Sequence, residues 1–220
     1  MKLTLFNYFR SSSAWRVRIA LAWKQLPYEY VAVHLLRDGG EQWRPDYLAR
    51  NPQGMVPLLE IDEGGQRRSI AQSMAIIEYL EERVPEPALL PRDLWLRARA
   101  RQLAEIVNSS IQPLQNTSVL QRVKGELHGD DKAWARGFIE RGLGAFEQVV
   151  GATAGRFCVG DAPSLADVYL VPQLFNARKY GLDVTPFARL VQIEAACAEL
   201  PAFQAAHPDR QPDAPKPEAP

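Results

Sequence analysis

Three consecutive serines, Ser11, Ser12 and Ser13, stand where a strand-like stretch gives way to a helix-like one. Lys2–Tyr8 alternates apolar and polar residues as a strand does, and from Ala14 the apolar residues fall at helical spacing. A serine at such a junction can cap the helix with its hydroxyl, and the first-turn N–H groups, which have no intrahelical partner, favour an anion. A thiolate, a phosphate or a carboxylate would suit the place, and so would plain capping with no ligand. Arg10, Arg16 and Arg18 bring cationic groups beside it. Gln72-Ser73 forms a second junction, ahead of a run in which Met74, Ile77 and Leu80 recur at helical spacing. Ser73 is expected as the N-cap there, either gripping a carboxylate or simply closing the helix. Two helix N-termini aimed at one cleft would suit a ligand with both a thiolate and a carboxylate.

Other local signals carry less chemistry. Val56-Pro57 opens a strand, either as an edge residue that spares a ladder donor or as a cis peptide that presents the Val56 backbone to a ligand. Gln112–Ser118 gathers amides and hydroxyls around Pro113, which must kink or end a helix. Facing solvent this segment would be unremarkable; facing the first domain it would line a cleft with hydrogen-bonding groups. Ser164-Leu-Ala-Asp167 reads as a capping box, a folding signal rather than a site. His34, His128 and His207 lie at no ligand spacing, and Cys158 and Cys197 sit in apolar surroundings that suggest buried free thiols. No metal site, Gly-rich phosphate loop, Ser-His-Asp pattern or catalytic carboxylate pair is expected.

The elements that must position these residues change character along the chain. Strands are expected at Lys2–Tyr8, Tyr28–His34, Val56–Asp62 and Gln66–Ile70, with helices from Ala14, over Glu41–Ala49 and over Ser73–Glu82. That order, βαβ, α, ββα, gives a small mixed sheet with helices packed on it. Beyond a proline-marked linker (Pro85, Pro87, Pro91) the strand signals nearly vanish, and Arg92–Ser110, Ala133–Val150, Leu165–Val171 and Pro186–Glu199 read as helices. The expected domains are therefore an α/β domain over 1–82, a linker over 83–91 and an all-α domain over 92–207. A proline-rich tail over 208–220 should lie on the surface or be disordered.

The 220 residues can bury a proper core without metal or disulfide staples. Lys plus Arg equals Asp plus Glu at 26 each, so no global field recruits nucleic acid or anionic membrane. Without an apolar leader after Met1 or a long apolar stretch, a cytoplasmic protein is the expectation.

Several segments together resemble the zeta-class glutathione transferases. They are Phe9-Arg-Ser-Ser-Ser-Ala-Trp-Arg-Val-Arg-Ile-Ala-Leu21, Asn51-Pro-Gln-Gly-Met-Val-Pro57, Gln72-Ser-Met-Ala-Ile-Ile-Glu-Tyr-Leu80 and Gln112-Pro-Leu-Gln-Asn116. Val159-Gly-Asp-Ala-Pro-Ser-Leu-Ala-Asp167, Leu170-Val-Pro-Gln173 and Ala206-His-Pro-Asp-Arg-Gln-Pro-Asp213 continue the likeness to about residue 213. The resemblance implies a thioredoxin-like N-terminal domain, an all-helical C-terminal domain, glutathione as cofactor and a homodimer. Carried over by position, Ser11 would hydrogen-bond the glutathione thiolate, with Ser12, Ser13 and Arg10 in the catalytic group. Ala14, Trp15 and Arg16 would complete the first-helix contacts, Val56 ahead of a cis-Pro57 would pair with the cysteinyl backbone, and Gln72 and Ser73 would hold the γ-glutamyl end. Gln42, Gln112, Asn116, Thr117 and Ser118 would add polar contacts.

Two positions depart from the family pattern. Its usual Ser-Ser-Cys is here Ser11-Ser12-Ser13, so no thiol stands at that point. Its Asn-Ala-x-Arg is Asn176-Ala177-Arg178-Lys179, which puts a lysine where an arginine would clamp a substrate carboxylate. Arg10, Arg178 and Lys179 are the candidates for that clamp. The implied reaction is glutathione-dependent cis–trans isomerisation of maleylacetoacetate to fumarylacetoacetate in tyrosine and phenylalanine catabolism, by thiolate addition, bond rotation and elimination. Rivals are maleylpyruvate isomerisation, transfer of glutathione to α-halo acids, and a non-catalytic interaction module of the same fold.

Overall fold

The computed structural model describes residues 1–215, and its chain divides into two compact units. The first holds strands β1 (Lys2–Asn7), β2 (Glu29–Ala32), β3 (Leu58–Glu63) and β4 (Gln66–Ala71) in the order β2-β1-β3-β4. β1 runs parallel to β2 and antiparallel to β3, and β3 pairs antiparallel with β4. Helix α1 (Ser12–Trp23) is the crossover between β1 and β2, and α3 (Ser73–Arg83) follows β4. The side-chain alternation of β1 and β3 separates two faces. Leu3 and Leu5 pair with Ile61 and Leu59 and are buried, while Phe6 and Leu58 join Val33, Tyr47, Val56 and Ala71 in a separate cluster.

Between β2 and β3 the expected helix over Glu41–Ala49 is broken. A 3-10 turn (Glu41–Trp43) is followed by α2 (Pro45–Leu48), because Arg44 precedes a proline and takes an extended conformation at φ −66°, ψ 142°. β3 starts at Leu58 rather than Val56, after the residue that lacks an N–H for the ladder. At the far end of α1 the buried Lys24 ammonium pairs with Glu81 of α3 at 2.7 Å and donates to the carbonyls of Val84 (2.6 Å) and Pro87 (3.2 Å). These acceptors answer the desolvation of an ammonium that sits out of water.

The second unit, Ala88–Leu200, is helical throughout its long elements. It comprises α4 (Leu94–Glu105), α5 (Thr117–Gly125), α6 (Asp131–Val150), α7 (Leu165–Lys179) and α8 (Ala188–Ala198). α4 passes into a π-helical stretch, Ile106–Ile111, and a 3-10 turn, Gln112–Gln115. α7 is the inner helix: eleven of its fifteen residues are buried, and it runs on through Pro172 instead of stopping at Val171. Packing on all sides outweighs the hydrogen bond that proline removes. α7 opens on the expected capping box, in which the buried Asp167 carboxylate accepts from the Ser164 amide (2.7 Å), the Ser164 hydroxyl (2.8 Å) and the Cys158 amide (2.9 Å). Cys158 and Cys197 are both free and buried.

The C-terminal segment departs from the sequence-based boundary. Helix α9 (Pro201–Ala206) packs on α1, so the chain from Pro201 belongs to the first unit and the helical unit ends at Leu200, not at 207. Residues 207–215 do not trail away. Pro208 and Gln211 are buried, and Gln211 donates to the carbonyls of Ala205 (3.0 Å) and His207 (2.8 Å). The rest of the expected tail, 216–220, lies outside the described residues. No helix among the described residues is long and apolar enough to cross a membrane.

Candidate functional site

Strand register gathers the first group of candidates. Phe6 pairs with Leu58, Leu58 with Ala71, and Asn7 with Ala32, so one end of the sheet receives the exit of β1, the entry to β3 and the exit of β4. Ser11, Val56–Pro57 and Gln72–Ser73 all lie within a few residues of that end.

Ser11 is the N-cap of α1: its φ and ψ are −71° and 115°, and its Oγ accepts the Ala14 N–H at 3.2 Å. Its own N–H closes a turn on the Tyr8 carbonyl at 3.0 Å. With the oxygen engaged as an acceptor, the hydroxyl proton can point outward to an anion. Ser13 is half-buried and Ser12 buried within the first turn. The α1 and α3 N-termini are neighbours: the wholly buried Arg16 of α1 donates from Nη1 to the Ser73 hydroxyl at 3.4 Å. A guanidinium one turn into α1 thereby adds positive charge beneath both helix ends. Trp15 of α1 meets His207 edge to face, with ring centroids 5.1 Å apart. Arg10 is exposed.

Ser73 is not the N-cap of α3. Gln72 takes that position, at φ 72° and ψ 120°, and Ser73 is the first helical residue. A non-glycine residue with such a backbone stores strain, which points to a position selected for more than folding. The exposed Gln72 amide donates to Gln53 Oε1 at 2.8 Å. Gln53 lies inside the Asn51–Pro57 segment, and no local pattern in the sequence shows that it meets Gln72. That loop is shaped from within: Tyr47 Oη (2.6 Å) and Asn51 Nδ2 (2.8 Å) both donate to the Met55 carbonyl, one residue before Val56. The Val56-Pro57 peptide is cis. Gln42 is buried, donates from Nε2 to the Leu35 carbonyl at 3.3 Å, and keeps its Oε1 without a partner among the described residues. The donor-rich helix ends and this spare acceptor fit a peptide-like anion such as glutathione.

The second group lies in the helical unit. Asn116 caps α5, its Oδ1 accepting from the amide and hydroxyl of Ser118 at 3.2 Å each; Thr117 is the first helical residue. Gln112 opens the 3-10 turn and is half-buried. The turn is tied to α7 by a buried amide pair, Gln115 with Gln173, at 2.7 Å. Helix α5 itself was not expected, since the polar Asn116-Thr117-Ser118 run that caps it also reads as a loop. Arg178 proves to be engaged already. Its fork pairs both oxygens of Glu194 on α8, at 2.6 Å through Nη1, and this partner pushes the guanidinium pKa up. A bidentate pair of this kind leaves little of Arg178 for a substrate carboxylate, contrary to the sequence expectation. Lys179 places its ammonium 5.4 Å from the Tyr180 ring centre.

Comparison with known proteins agrees with this geometry. Residues 5–88 match the family described as "Glutathione S-transferase, N-terminal domain", and residues 118–207 match "Glutathione S-transferase, C-terminal domain". The chain is 46% identical to maleylacetoacetate isomerase of Rattus norvegicus, over 97% of this chain and 96% of that one. It superposes with a TM-score of 0.90 on the crystal structure of maleylacetoacetate isomerase from Anaeromyxobacter dehalogenans 2CP-1 with bound GSH in the active site, at 59% identity and with 97% and 98% of the two chains covered. A maleylpyruvate isomerase, described as a bacterial glutathione S-transferase in the zeta class, gives the same TM-score at 42% identity, covering 96% of this chain and all of that one. The capped helix ends, the sheet order and these likenesses converge: the chain belongs to the glutathione S-transferase family, in its zeta class.

Proposed function

We propose that the protein is a glutathione-dependent cis–trans isomerase that converts maleylacetoacetate to fumarylacetoacetate in tyrosine and phenylalanine breakdown. The observation that carries the reading is the capped N-terminus of α1, where Ser11 Oγ accepts the Ala14 N–H and so has a proton to offer a thiolate. Likeness to maleylacetoacetate isomerases over nearly the whole chain supports the choice of substrate.

Bound glutathione supplies the thiolate that adds to the conjugated double bond, leaves it free to rotate as a single bond, and departs again. The chain's part is to hold and to charge. Ser11 and the first-turn N–H groups of Ser12 and Ser13 stabilise the sulfur as an anion, as helix N-termini do for cysteine. Val56 and Pro57 line the cysteinyl backbone; Gln72, Ser73 and the Arg16 behind Ser73 take the γ-glutamyl carboxylate. Gln42 supplies a further polar contact, and Ala14 and Trp15 support the α1 terminus. Arg10, exposed beside the α1 N-terminus, would carry charge for a carboxylate of the substrate. The working form is a homodimer in the cytoplasm.

The test is isomerisation of maleylacetone, a stable analogue, followed optically with and without glutathione. Conversion only when glutathione is present is the expected result. Glutathione binding without conversion would sink the isomerase reading and favour transfer to α-halo acids. Neither binding nor conversion would leave an interaction module. Parallel assays with maleylpyruvate decide between the two isomerase substrates, since the chain is also similar to a maleylpyruvate isomerase.

A further inference from the structure

The turn that delivers Ser11 is gripped by residues distant in the chain. From inside, Arg18, only 1% exposed, donates to Asn7 Oδ1 (3.0 Å) and the Tyr8 carbonyl (3.4 Å) from Nη1, to the Phe9 carbonyl (3.0 Å) from Nη2, and to the Ala206 carbonyl (3.2 Å) from Nε. Burial lowers its guanidinium to about 10, which leaves it charged at neutral pH. From the other side comes the C-terminal segment. Asp213 accepts the Phe9 N–H on Oδ2 at 3.1 Å and the Tyr30 hydroxyl on Oδ1. Phe9 therefore has both its amide and its carbonyl fixed, two residues before the capping serine. Burial and the neighbouring carboxylate hold the Tyr30 phenol above its ordinary range, so it stays a donor. Gln211 folds the segment onto Ala205 and His207, and this seats Asp213.

We infer that Asp213 is a positioning residue for the isomerase: by holding the Phe9 amide it sets the Tyr8–Ser11 turn, and so the aim of the Ser11 hydroxyl and of the α1 N-terminus at the glutathione sulfur. This rests on the reading of Ser11 as the partner of the thiolate. Asp213 is not among the residues assigned to glutathione or substrate. It acts through a turn that ends on Ser11, whereas the groups assigned to the rest of the tripeptide (Val56, Gln72, Ser73) lie on other segments of the chain. Its loss should therefore be read in the acidity of the bound thiol and in turnover, more than in glutathione affinity.

The experiment compares full-length wild type with Asp213→Ala, Asp213→Asn, Tyr30→Phe, Ser11→Ala and the double variant Ser11→Ala/Asp213→Ala. Thiolate absorbance of bound glutathione is followed against pH, with kcat and KM for maleylacetone isomerisation. Asp213→Ala is expected to raise the bound-thiol pKa by about one pH unit and to lower kcat about tenfold at neutral pH, with KM for glutathione changed less than about threefold. Asp213→Asn keeps an acceptor for the Phe9 N–H and should recover most of the loss; Tyr30→Phe should shift both quantities the same way by less. The double variant should match Ser11→Ala alone, because both changes act on one contact.

A merely structural role would lower thermal stability and leave thiol acidity in place, and that result for Asp213→Ala overturns the inference. If Asp213→Ala does not fold, unchanged thiol acidity in Tyr30→Phe, which removes the other partner of Asp213, overturns it equally. Independent, multiplying losses in the double variant do so as well. Should Ser11→Ala itself leave the thiol pKa unmoved, the Ser11 reading fails and this one with it. A shift in Ser11→Ala alone defeats only the role of Asp213.

Discussion

Ser11 does two things with one hydroxyl: its oxygen caps α1 through the Ala14 amide, and its proton remains for an anion. Removing it should therefore show in both stability and rate, by different amounts. Ser11→Ala is expected to cost about 1 kcal/mol of stability, the usual loss of an N-cap, read from denaturant unfolding. The same change should cut kcat for maleylacetone by about a hundredfold, the scale of a lost anion-stabilising donor, with a far smaller change in glutathione affinity. Equal losses in turnover and affinity would contradict a thiolate-stabilising role. Arg178 gives the opposite expectation. Its guanidinium is spent on Glu194, so Arg178→Ala should leave KM for the dicarboxylate nearly unchanged and cost about 1 kcal/mol or less of stability, since the pair is partly exposed. A large rise in KM would return Arg178 to the substrate clamp.

At the scale of elements, the junctions carry the information. Between β4 and α3, Gln72 sits at φ 72°, a backbone state that costs a side chain about 1–3 kcal/mol. Gln72→Gly is expected to leave thermal stability unchanged or slightly raised while glutathione affinity drops, since glycine relieves the strain but removes the amide. A variant that both melts earlier and binds normally would show that the strain serves only the fold. At the head of α7, Asp167 answers three donors in a fully buried place. Asp167→Ala strands two backbone amides and a hydroxyl and should destabilise the helical unit by about 3 kcal/mol or more.

The same carboxylate gives a pH signature. Burial raises its pKa, so the folded chain holds that proton at pH values where the unfolded chain has already lost it. Its contribution to stability is then highest in acid and falls as pH rises from the ordinary Asp range to the raised value, flat above it. Wild type should lose stability relative to Asp167→Asn across that window in thermal melts, and a parallel course of the two curves would refute the assignment.

For the whole molecule, the expected ligand is also a measure of the fold. Glutathione that binds only the native chain at a hundred times its dissociation constant should add about 2.7 kcal/mol to stability. A rise in thermal midpoint is thus expected for wild type and a much smaller one for Gln72→Ala/Ser73→Ala, by calorimetry. An equal rise in both would place glutathione elsewhere. The exact balance of 26 cationic and 26 anionic residues gives net charge no part in drawing an anion, so the proposed binding would rest on local fields, those of the α1 and α3 N-termini and of the buried Arg16.

Much of this was present in local sequence. Alternation in Lys2–Tyr8, the Gly64-Gly65 turn between β3 and β4, the serines ahead of α1 and the Ser164–Asp167 box are short-range signals, and each element formed within a residue or two of where its own residues prescribe: β1 ends at Asn7 and α1 opens at Ser12 rather than Ala14. Boundaries moved where a neighbour overruled propensity: α7 crosses Pro172 because it is packed on nearly every side, and Asn116–Ser118 caps a helix instead of forming a loop. What tertiary structure alone decided are meetings across long separations. Arg16 with Ser73, Gln53 with Gln72, Arg178 with Glu194 and Phe9 with Asp213 join residues 57, 19, 16 and 204 positions apart. A single chain states which side chains can donate, accept or carry charge. Only folding, which closes the loops between them, decides which donor reaches which acceptor, and hence that Arg178 is spent and that a proline-rich C-terminal segment braces the turn before Ser11.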